Sequence, residues 1–455
     1  MVLFDTISAI ATPLGAPGGI GIVRISGKNS LRIIKRIFKP TSKDEFISHR
    51  IRHGWIVDNS KAIDEVMVSY MASPNSYTGE DVVEISCHGG PSVLKMVLEL
   101  TVREGARLAQ RGEFTKRAFL NGKIDLSQAE AIIDLIKART KESSIMAASH
   151  LKGSLSFKIK GLRQLLMDLI AGIEASIDFP DEIDDIDRQK VITAVDTAIK
   201  AVDNLLITAD FGVIYREGVS VAIIGKPNVG KSSLLNALLR QERAIVAEEP
   251  GTTRDIIEET VNIKGIPFKV VDTAGIRRPN GNVEKLGIDR ARKALENAEL
   301  AILVIDISDK LANEDNELIE STEGSKKIVA LNKADKNHLL KATDIKRLAE
   351  CQVIEISALK GEGIERLEEA MLNAVIANKV VAQNIDVMIN LRQKQCLQRA
   401  RELLEKSRES IEKKMQADFI SIDLKGAIAA MGEVTGEIVS DEVIDRIFEQ
   451  FCVGK

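Results

Sequence analysis

One segment constrains the fold of this chain more than any other. Residues 225–232 read Gly-Lys-Pro-Asn-Val-Gly-Lys-Ser, with the apolar run Val219–Ile224 before them and the helix-forming residues 233–238 after them. In such a strand–turn–helix unit, backbone N–H groups and the helix N-terminus bind an anion, the lysine reaches the β- and γ-phosphates, and the serine binds Mg²⁺. The segment therefore predicts an α/β domain that binds a nucleoside triphosphate.

Four further motifs follow in the order and at the spacing of a GTPase. They are Gly251-Thr252-Thr253-Arg254-Asp255, Asp272-Thr273-Ala274-Gly275, Asn332-Lys333-Ala334-Asp335 and Ser357-Ala358-Leu359. An aspartate in the position of Asp335 accepts hydrogen bonds from guanine N1–H and N2–H₂, which adenine does not offer. Residues 357–359 suit contact with the base O6 through backbone N–H groups. The motifs together predict GTP as the nucleotide.

Oxygen ligands for Mg²⁺ are predicted in the phosphate loop and in two of these motifs. The hydroxyl group of Ser232 and a threonine hydroxyl of Gly251-Thr252-Thr253 can bind the ion directly, and Asp272 can hold it through water. A threonine hydroxyl of the same motif also suits a contact that senses the γ-phosphate, which the N–H of Gly275 can reach.

Ile276 follows this glycine, where small signalling GTPases carry a glutamine that orients the attacking water. Isoleucine has no hydrogen-bonding group, so hydrolysis must be organised differently. The side-chain oxygen of Asn228 suits a monovalent cation near the phosphates. Alternatively, Asn228 only stabilises the turn after Pro227.

Composition limits the class of protein. The chain has 455 residues, enough for two or three domains, and its 44% hydrophobic and 29% charged residues are typical of a soluble globular protein. We expect no membrane span and no signal peptide, and a net charge of −4 gives no global attraction to nucleic acid. Four scattered cysteines without metal-binding spacing fit a reducing cytoplasm: Cys87, Cys351, Cys396 and Cys452.

The pattern along the chain predicts a multidomain protein of α+β and α/β parts. Residues 1–120 predict an α+β domain, 121–216 a helical segment, 217–378 the GTPase domain and 379–455 a second helical segment. The apolar stripe of the first helical segment is formed by Leu126, Ala129, Ile133, Ile136, Leu162, Leu165, Leu166 and Leu169, and that of the second by Leu397, Ala400, Leu404 and Ile411. The simplest way to bury both stripes packs them together, with the GTPase domain inserted between them. Two independent helical appendages are the alternative.

Long motifs outside the GTPase domain resemble those of one family. They are ATPLGAPGGIGIVRISG at 11–27, YTGEDVVE at 77–84, CHGGP at 87–91, GEFTKRAFLNGKIDL at 112–126, IDFPDE at 177–182 and FCVGK at 451–455. Together with the GTPase motifs, they closely resemble the MnmE (TrmE) family of tRNA-modification GTPases. The resemblance runs from the first residues to the last.

The resemblance implies a chemistry that the GTPase motifs do not. Members of the family work with a flavoprotein partner, MnmG (GidA), which carries the FAD, and a heterotetramer is implied. The complex builds a carboxymethylaminomethyl or aminomethyl group on C5 of the wobble uridine, position 34, of certain tRNAs. A one-carbon folate, such as 5-formyl-tetrahydrofolate, supplies the bridging carbon. The resemblance also implies an amino-terminal domain that binds this folate and forms a homodimer, and K⁺-dependent GTP hydrolysis with pairing of the GTPase domains.

Site residues follow from the same matching. The residues expected to hold the folate are Arg24, Glu84, Lys123 and Lys455. Those expected to contact GTP are Asn228, Val229, Gly230, Lys231, Ser232, Ser233, Ala247, Glu248, Glu249, Pro250, Gly251, Thr252, Thr253, Asp272, Thr273, Ala274, Gly275, Asn332, Lys333, Asp335, Ser357, Ala358 and Leu359. The expected Mg²⁺ ligands are Ser232 and Thr253, and the expected K⁺ ligands are Asn228, Ala247, Glu249 and Thr252. Glu284 matches a general base or water-positioning residue, and Cys452 matches the cysteine of a terminal Cys-x-Gly-Lys motif with a catalytic role.

Alternatives stay open for several of these residues. Arg24 and Lys123 are otherwise surface cations, and Cys452 is otherwise a small buried apolar residue. Glu84 lies in an apolar run, where an unpaired carboxylate would be costly. The family usually reads Val-Thr-Asp-Ile before Pro or Ala, whereas residues 246–250 read Val-Ala-Glu-Glu-Pro. A backbone carbonyl of Ala247 or Glu249 can still serve a cation.

Two other functions compete with this one. The GTPase motifs also suit a switch GTPase for ribosome or RNA assembly without modification chemistry. A self-sufficient folate aminomethyltransferase with a regulatory GTPase domain is the third reading, but it does not explain the Cys-x-Gly-Lys terminus. The amino-terminal motifs and that terminus favour the tRNA-modifying GTPase.

Overall fold

A computed structural model describes residues 5–14, 18–42, 45–178, 187–241, 258–272, 295, 298–343, 345, 351–376 and 387–455. The chain divides into two compact units, each built from segments that are distant in sequence. The first unit consists of Met1–Ile136, Ser149–Asp203 and Arg392–Lys455, and the second of Lys137–Ala148 and Asn204–Leu391. The predicted boundaries after residues 120, 216 and 378 stay predictions.

The strands of the described residues form two sheets. The first sheet contains β1 (Ile7–Ile10), β2 (Gly18–Ser26), β3 (Phe38–Pro40), β4 (Arg50–Asp58), β5 (Lys61–Met71), β6 (Val82–Gly89) and β7 (Arg107–Leu108). The second contains β8 (Val219–Ile224), β9 (Glu258–Ile263), β10 (Ile266–Asp272), β11 (Leu300–Asp306), β12 (Lys327–Asn332) and β13 (Gln352–Glu355).

The helices described alongside them cover most of the chain between and after the sheets. In chain order they are α1 (Ser30–Ile37), α2 (Pro91–Arg103), α3 (Glu113–Leu120), α4 (Leu126–Lys137), α5 (Lys141–Leu151), α6 (Ser154–Asp178), α7 (Arg188–Glu217), α8 (Lys231–Gln241), α9 (Asn313–Ser321), α10 (Ile364–Ile376), α11 (Leu391–Glu412), α12 (Ala417–Thr435) and α13 (Asp441–Phe448). None of them combines the length and apolar character that a membrane crossing requires.

The amino-terminal part is an α+β structure, as predicted. Its sheet has the order β3-β4-β5-β6-β2-β1-β7, and every pair is antiparallel except β1 with β7. Alternate residues of the strands point to one face, where they pack with α1 and α2 in a single apolar core. Val23 and Ile25 are buried there, whereas Arg24 between them points to the opposite face.

The helices that flank the nucleotide-binding part in sequence contact each other in the first unit. Both N–H groups of one guanidinium edge of Arg392 on α11 donate to the Glu130 carboxylate on α4, each at 2.8 Å. Arg401 on α11 donates to Asp203 on α7 at 2.5 Å. The predicted stripe on α11 is confirmed, because all its members are at most 2% exposed. On α4 the prediction was wrong for Ile136, which is 50% exposed because it lies in the last turn, beyond the buried part of the helix.

The second sheet has the order β13-β12-β11-β8-β10-β9. All its pairs are parallel except β9 with β10, and the strands read as near-continuous apolar runs because helices cover such sheets on both faces. After β8 the chain builds the side that contains β10 and then returns to β11 on the other side. In an α/β sheet, ligands bind at the carboxyl ends of the strands beside such a reversal. The phosphate-binding segment follows β8 at this point.

Candidate functional site

The phosphate loop adopts the backbone that its glycines allow. Gly230 has φ +100°, and a Cβ there would collide with the side-chain amide of Asn332. Gly225 has φ +154°, and a Cβ there would meet the backbone oxygen of Val304 on β11. Helix α8 begins at Lys231, within the last two residues of the loop, and the N–H of Leu234 donates to the oxygen of Gly230 at 2.9 Å. The loop therefore packs against the sheet and leads into a helix N-terminus, which favours an anion.

Lys231 lies across this loop. Its Nζ donates to the backbone oxygen atoms of Gly225, at 2.8 Å, and of Lys226, at 2.7 Å. Val229 is buried in the domain core, whereas Asn228, with φ +64°, and Ser232 on the first turn of α8 are exposed. The lysine charge and the hydroxyl group thus lie where the predicted phosphates and Mg²⁺ would bind. Oxygen donors of this kind fit Mg²⁺.

One side chain joins the phosphate loop to both base-recognition motifs. Asn332, the last residue of β12, is 3% exposed. Its Nδ2 donates to the backbone oxygen of Val229 at 2.8 Å, and its Oδ1 accepts from the N–H of Ala358 at 3.0 Å. The amide of Asn332 therefore joins its own motif to Val229, 103 residues earlier in the chain, and to Ala358, 26 residues later.

Asp335 has the environment of a hydrogen-bond acceptor. The hydroxyl of Ser357 donates to its Oδ1 at 2.6 Å, and this hydrogen bond lowers the pKa of the carboxyl below its usual range. Ser357 is itself fully buried, and its N–H donates to the oxygen of Glu362 at 2.9 Å. Asp335 is only partly buried, so its ionised carboxylate is accessible to a hydrogen-bond donor of a ligand. Leu359, by contrast, is 81% exposed.

Asp306 belongs to this site although the sequence analysis missed it. It ends β11, and its Oδ2 lies 2.5 Å from the Nζ of Lys333, which has φ +67°. Burial opposes ionisation of this carboxyl, but hydrogen bonds from Lys333 and Ser308 outweigh burial and lower its pKa. The available signal was an acidic residue at the carboxyl end of an apolar strand.

Several predicted residues lie outside the described part of the chain. They are Ala247, Glu248, Glu249, Pro250, Gly251, Thr252, Thr253, Thr273, Ala274, Gly275 and Glu284. Asp272 is described only through its backbone, as the last residue of β10, level with Ile223 on β8. That register brings it to the sheet edge where the phosphate loop starts.

A second site lies on the amino-terminal sheet. Arg24 on β2 is directly opposite Glu84 on β6, and its Nε donates to Glu84 Oε1 at 2.8 Å. The guanidinium carbon lies 5.5 Å from the ring centre of Tyr77 and 5.6 Å from that of Phe114. Glu84 is therefore paired, and the side chain of Arg24 is only 14% exposed, unlike a solvated surface cation.

The last residues of the chain reach the same place. Arg24 Nη1 donates to the backbone oxygen of Gly454 at 3.1 Å, and the N–H of Phe114 donates to that of Lys455 at 3.2 Å. Gly454 has φ +94°, and its close approach to Ile10 leaves no room for a side chain. Arg24, Glu84 and Lys455 are thus brought together.

The two remaining candidate residues for this site, Lys123 and Cys452, lie at the surface. Lys123 Nζ donates to the backbone oxygen of Pro74 at 3.0 Å, three residues before Tyr77. Cys452 is exposed, so the alternative of a buried apolar residue was wrong. Its backbone oxygen accepts from the N–H of Gly112 at 3.3 Å, which fixes the terminal segment and leaves the thiol at the surface.

A buried ionic network explains part of the amino-terminal motifs. Arg117 is 2% exposed and donates to Glu113 at 2.9 Å, Asp5 at 2.7 Å and Glu80 at 3.1 Å. A hydrogen bond from Arg107, followed in strength by one from Arg117, lowers the pKa of Asp5. The sequence analysis did not find this network, although Glu113 and Arg117 have the i, i+4 spacing of a helical ion pair. Its burial indicates a structural role.

The phosphate loop, the ionised Asp335 and the α/β sheet define a guanine-nucleotide-binding protein of the P-loop class. A family model described as the MnmE helical domain matches residues 126–452, and one described as the GTP-binding protein TrmE N-terminus matches residues 6–123. The chain belongs to the MnmE (TrmE) family of tRNA modification GTPases.

Relatives named tRNA modification GTPase MnmE match over the whole chain. The protein of Alkaliphilus oremlandii is 47% identical over 100% of both chains. That of Clostridioides difficile is 46% identical over 100% of both, and that of Streptococcus thermophilus is 46% identical over 99% of both. Among solved structures, the G domain of the T. maritima FeoB iron transporter matches 34% of this chain and 98% of its own, at 29% identity and a TM-score of 0.27. The family assignment rests on the sequence matches.

Proposed function

We propose that this protein hydrolyses GTP as one component of a complex that adds a carboxymethylaminomethyl or aminomethyl group to C5 of uridine 34 in certain tRNAs. The main support for this proposal is one set of contacts on the amino-terminal sheet, where Arg24 and Glu84 lie beside the terminal residues Gly454 and Lys455. A GTPase that acted only as a switch would not need its carboxyl terminus against an arginine of an amino-terminal sheet. The family membership supports the same conclusion.

In the nucleotide site, the described residues supply recognition and charge. Asp335 accepts the guanine hydrogen bonds, and Lys231 faces the β- and γ-phosphates. Ser232 and Thr253 would hold Mg²⁺, which neutralises charge on the transferred phosphoryl group when it is bound. Glu284 positions the attacking water in place of the glutamine that Ile276 replaces, and Asn228 with the backbone of Ala247, Glu249 and Thr252 would hold K⁺.

In the amino-terminal site, we assign the folate to Arg24, Glu84, Lys123 and Lys455. The carboxylate of Glu84 suits the N–H groups of a pterin, and the cations suit the glutamate tail of a folate. The contact of Arg24 with Tyr77 fits a flat aromatic ligand, because the ring of Tyr77 is 36% exposed and can stack on it. Cys452 is exposed beside this site and takes part in the transfer chemistry.

The proposed partners follow from this chemistry. The protein acts in the cytoplasm as a homodimer formed through its amino-terminal domains. Its further partners are tRNA and a flavoprotein of the MnmG (GidA) type, which supplies the FAD in a heterotetramer.

Nucleoside mass spectrometry of tRNA tests the proposal. Cells that lack the gene should contain unmodified wobble uridine, and the parental gene should restore the modified nucleoside. Arg24→Gln should fail to restore it, whereas Arg32→Gln, which changes an exposed arginine on α1, should restore it fully. A normal nucleoside profile in the deletion strain would select the switch GTPase of ribosome or RNA assembly instead.

A further inference from the structure

A residue of the phosphate loop has a buried ionic partner on a helix outside the nucleotide motifs. Lys226 is the second residue of the loop, and its Nζ lies 2.7 Å from Oδ2 of Asp315 on α9. The side chain of Asp315 is 2% exposed and that of Lys226 is 15% exposed. A carboxylate at this depth needs a cation and hydrogen bonds, because burial of an unpaired charge is strongly unfavourable.

The position of Asp315 is fixed by the start of its helix. Its Oδ2 accepts from the N–H of Ala312 at 2.9 Å, and its own N–H donates to the oxygen of Ala312 at 3.1 Å. These reciprocal hydrogen bonds satisfy groups that the first turn of a helix leaves unpaired. The carboxylate therefore caps α9 and binds Lys226 with the same oxygen.

Lys226 connects this helix to the lysine that faces the phosphates. Its backbone oxygen accepts from Lys231 Nζ at 2.7 Å, and the oxygen of Gly225 accepts from the same atom at 2.8 Å. The other half of the loop is held separately, through the hydrogen bond from Asn332 to Val229. The side chain of Lys226 thus attaches the first half of the loop to α9, and its backbone helps to orient Lys231.

We propose that Asp315 is a positioning residue for the nucleotide site, which acts through Lys226 to hold the phosphate loop and Lys231 in the binding geometry. The proposal rests on the GTPase activity proposed above and adds a residue to it. Asp315 does not touch the nucleotide. It sets the place of the backbone oxygen atoms that orient Lys231.

The charge of Lys226 supports this role. Burial by itself would lower the pKa of its ammonium group, but the hydrogen bond and the negative charge of Asp315 outweigh burial and raise it. The more distant carboxylates of Asp309 and Glu314 act in the same direction. Lys226 therefore stays charged at neutral pH, as an ionic contact requires.

A double-mutant cycle on the full chain tests the proposal. Asp315→Asn keeps an oxygen that can cap α9 but removes the charge, and Lys226→Met keeps the apolar stem but removes the ammonium. We expect each single variant and the double variant to lose about the same factor in kcat/KM for GTP and in affinity for mant-GDP, on the order of ten-fold. Lys226→Arg, which keeps the charge, should stay near the parental values.

Controls separate positioning from stability. Glu317→Gln changes an exposed carboxylate on the same helix and should leave both nucleotide measurements unchanged. Losses that multiply in the double variant would overturn the proposal, as would Asp315→Asn with a lower Tm but parental nucleotide kinetics. If Asp315→Asn does not fold, equal losses in Lys226→Arg and Lys226→Met would overturn it. Turnover by the parental chain tests the proposed GTPase activity separately.

Discussion

At the scale of single residues, hydrogen bonds decide which atoms of the nucleotide site remain available. The side-chain amide of Asn332 donates a hydrogen bond to the phosphate loop and accepts one from Ala358, so this residue has a structural role in the site. Asp335 accepts one hydrogen bond from Ser357 and keeps acceptor capacity for a ligand. The same hydrogen bond lowers the pKa of the Asp335 carboxyl and so favours its ionised form.

Asp335→Asn should therefore change the base preference of the enzyme. The variant can present an N–H donor to the N1–H of guanine, and an unmatched polar pair in such a site costs on the order of 10⁴ in kcat/KM. Xanthine, which offers an oxygen where guanine has its amino group, should be preferred. The measurement compares kcat/KM for GTP and for xanthosine triphosphate. The control is Asp309→Asn, which changes an exposed aspartate outside the base motifs. Unchanged GTP affinity in Asp335→Asn would show that Asp335 does not belong to the base site.

At the scale of secondary-structure elements, the helical part of the first unit buries a histidine. His150, near the end of α5, is 2% exposed, and its Nε2 has no hydrogen-bond partner among the described residues. Burial lowers its pKa to about 4, although the negative charges of Glu130 and Asp125 act in the opposite direction. The folded protein therefore holds this imidazole neutral over a pH range in which an unfolded chain would protonate it.

The stability of this helical part should fall on acidification. Above the unfolded pKa of about 6.5, His150 is neutral in both states; between that value and the folded pKa, only the unfolded chain binds the proton. The free energy of unfolding should fall by about 3 kcal/mol in all, and the full decrease is reached below pH 4. Urea unfolding at several pH values measures it. In His150→Leu, the free energy of unfolding should depend less steeply on pH between pH 6.5 and 4. The control variant His49→Asn, at an exposed histidine, should keep the parental pH dependence. An unchanged slope in His150→Leu would contradict the assignment.

At the scale of the whole molecule, each compact unit joins segments that are far apart in the chain. In the first unit, Gly454 contacts Ile10 and Arg24, which are more than four hundred residues away in sequence. In the second, the carboxyl ends of β8, β10, β11, β12 and β13 meet at one edge of the sheet. Both candidate sites are therefore products of long-range folding.

We expect GTP hydrolysis to be faster in K⁺ than in Na⁺. Ile276 does not orient water, so charge that develops between the β- and γ-phosphates requires another cation. Asn228 is exposed in the phosphate loop with φ +64°, and a cage of oxygen atoms suits the larger, more weakly hydrated ion. We propose that binding of the ion by Asn228 and the backbone of residues 247–252 is coupled to pairing of the GTPase domains in a homodimer.

Turnover at fixed ionic strength in each salt measures this effect. Asn228→Ala should lose the K⁺ stimulation, and Asn236→Ala, at an exposed asparagine on α8, should keep it. Equal rates of the parental protein in both salts would disprove the cation mechanism. Equal stimulation in Asn228→Ala would remove only Asn228 from it.

Sequence patterns alone were enough to assign GTP as the nucleotide, the strand Val219–Ile224 before the phosphate loop, and the family. These features are local: a phosphate loop, a strand of apolar residues or a base motif is specified by a few consecutive residues, and its chemistry does not depend on distant parts. The same holds for the stripe of α11, whose 3.6-residue period is visible in one segment.

Which distant residues share a site became clear only from the packing of the folded chain. Spacing along the chain carries no information on the pairing of Arg24 with Glu84 and Gly454, of Lys333 with Asp306, or of Lys226 with Asp315. Each pair depends on strand order, register and the burial of both partners, which arise when separate segments pack into one core. The packing of the chain also makes Arg117 buried and Cys452 exposed. The charge and size of a side chain do not by themselves determine whether it is buried or exposed.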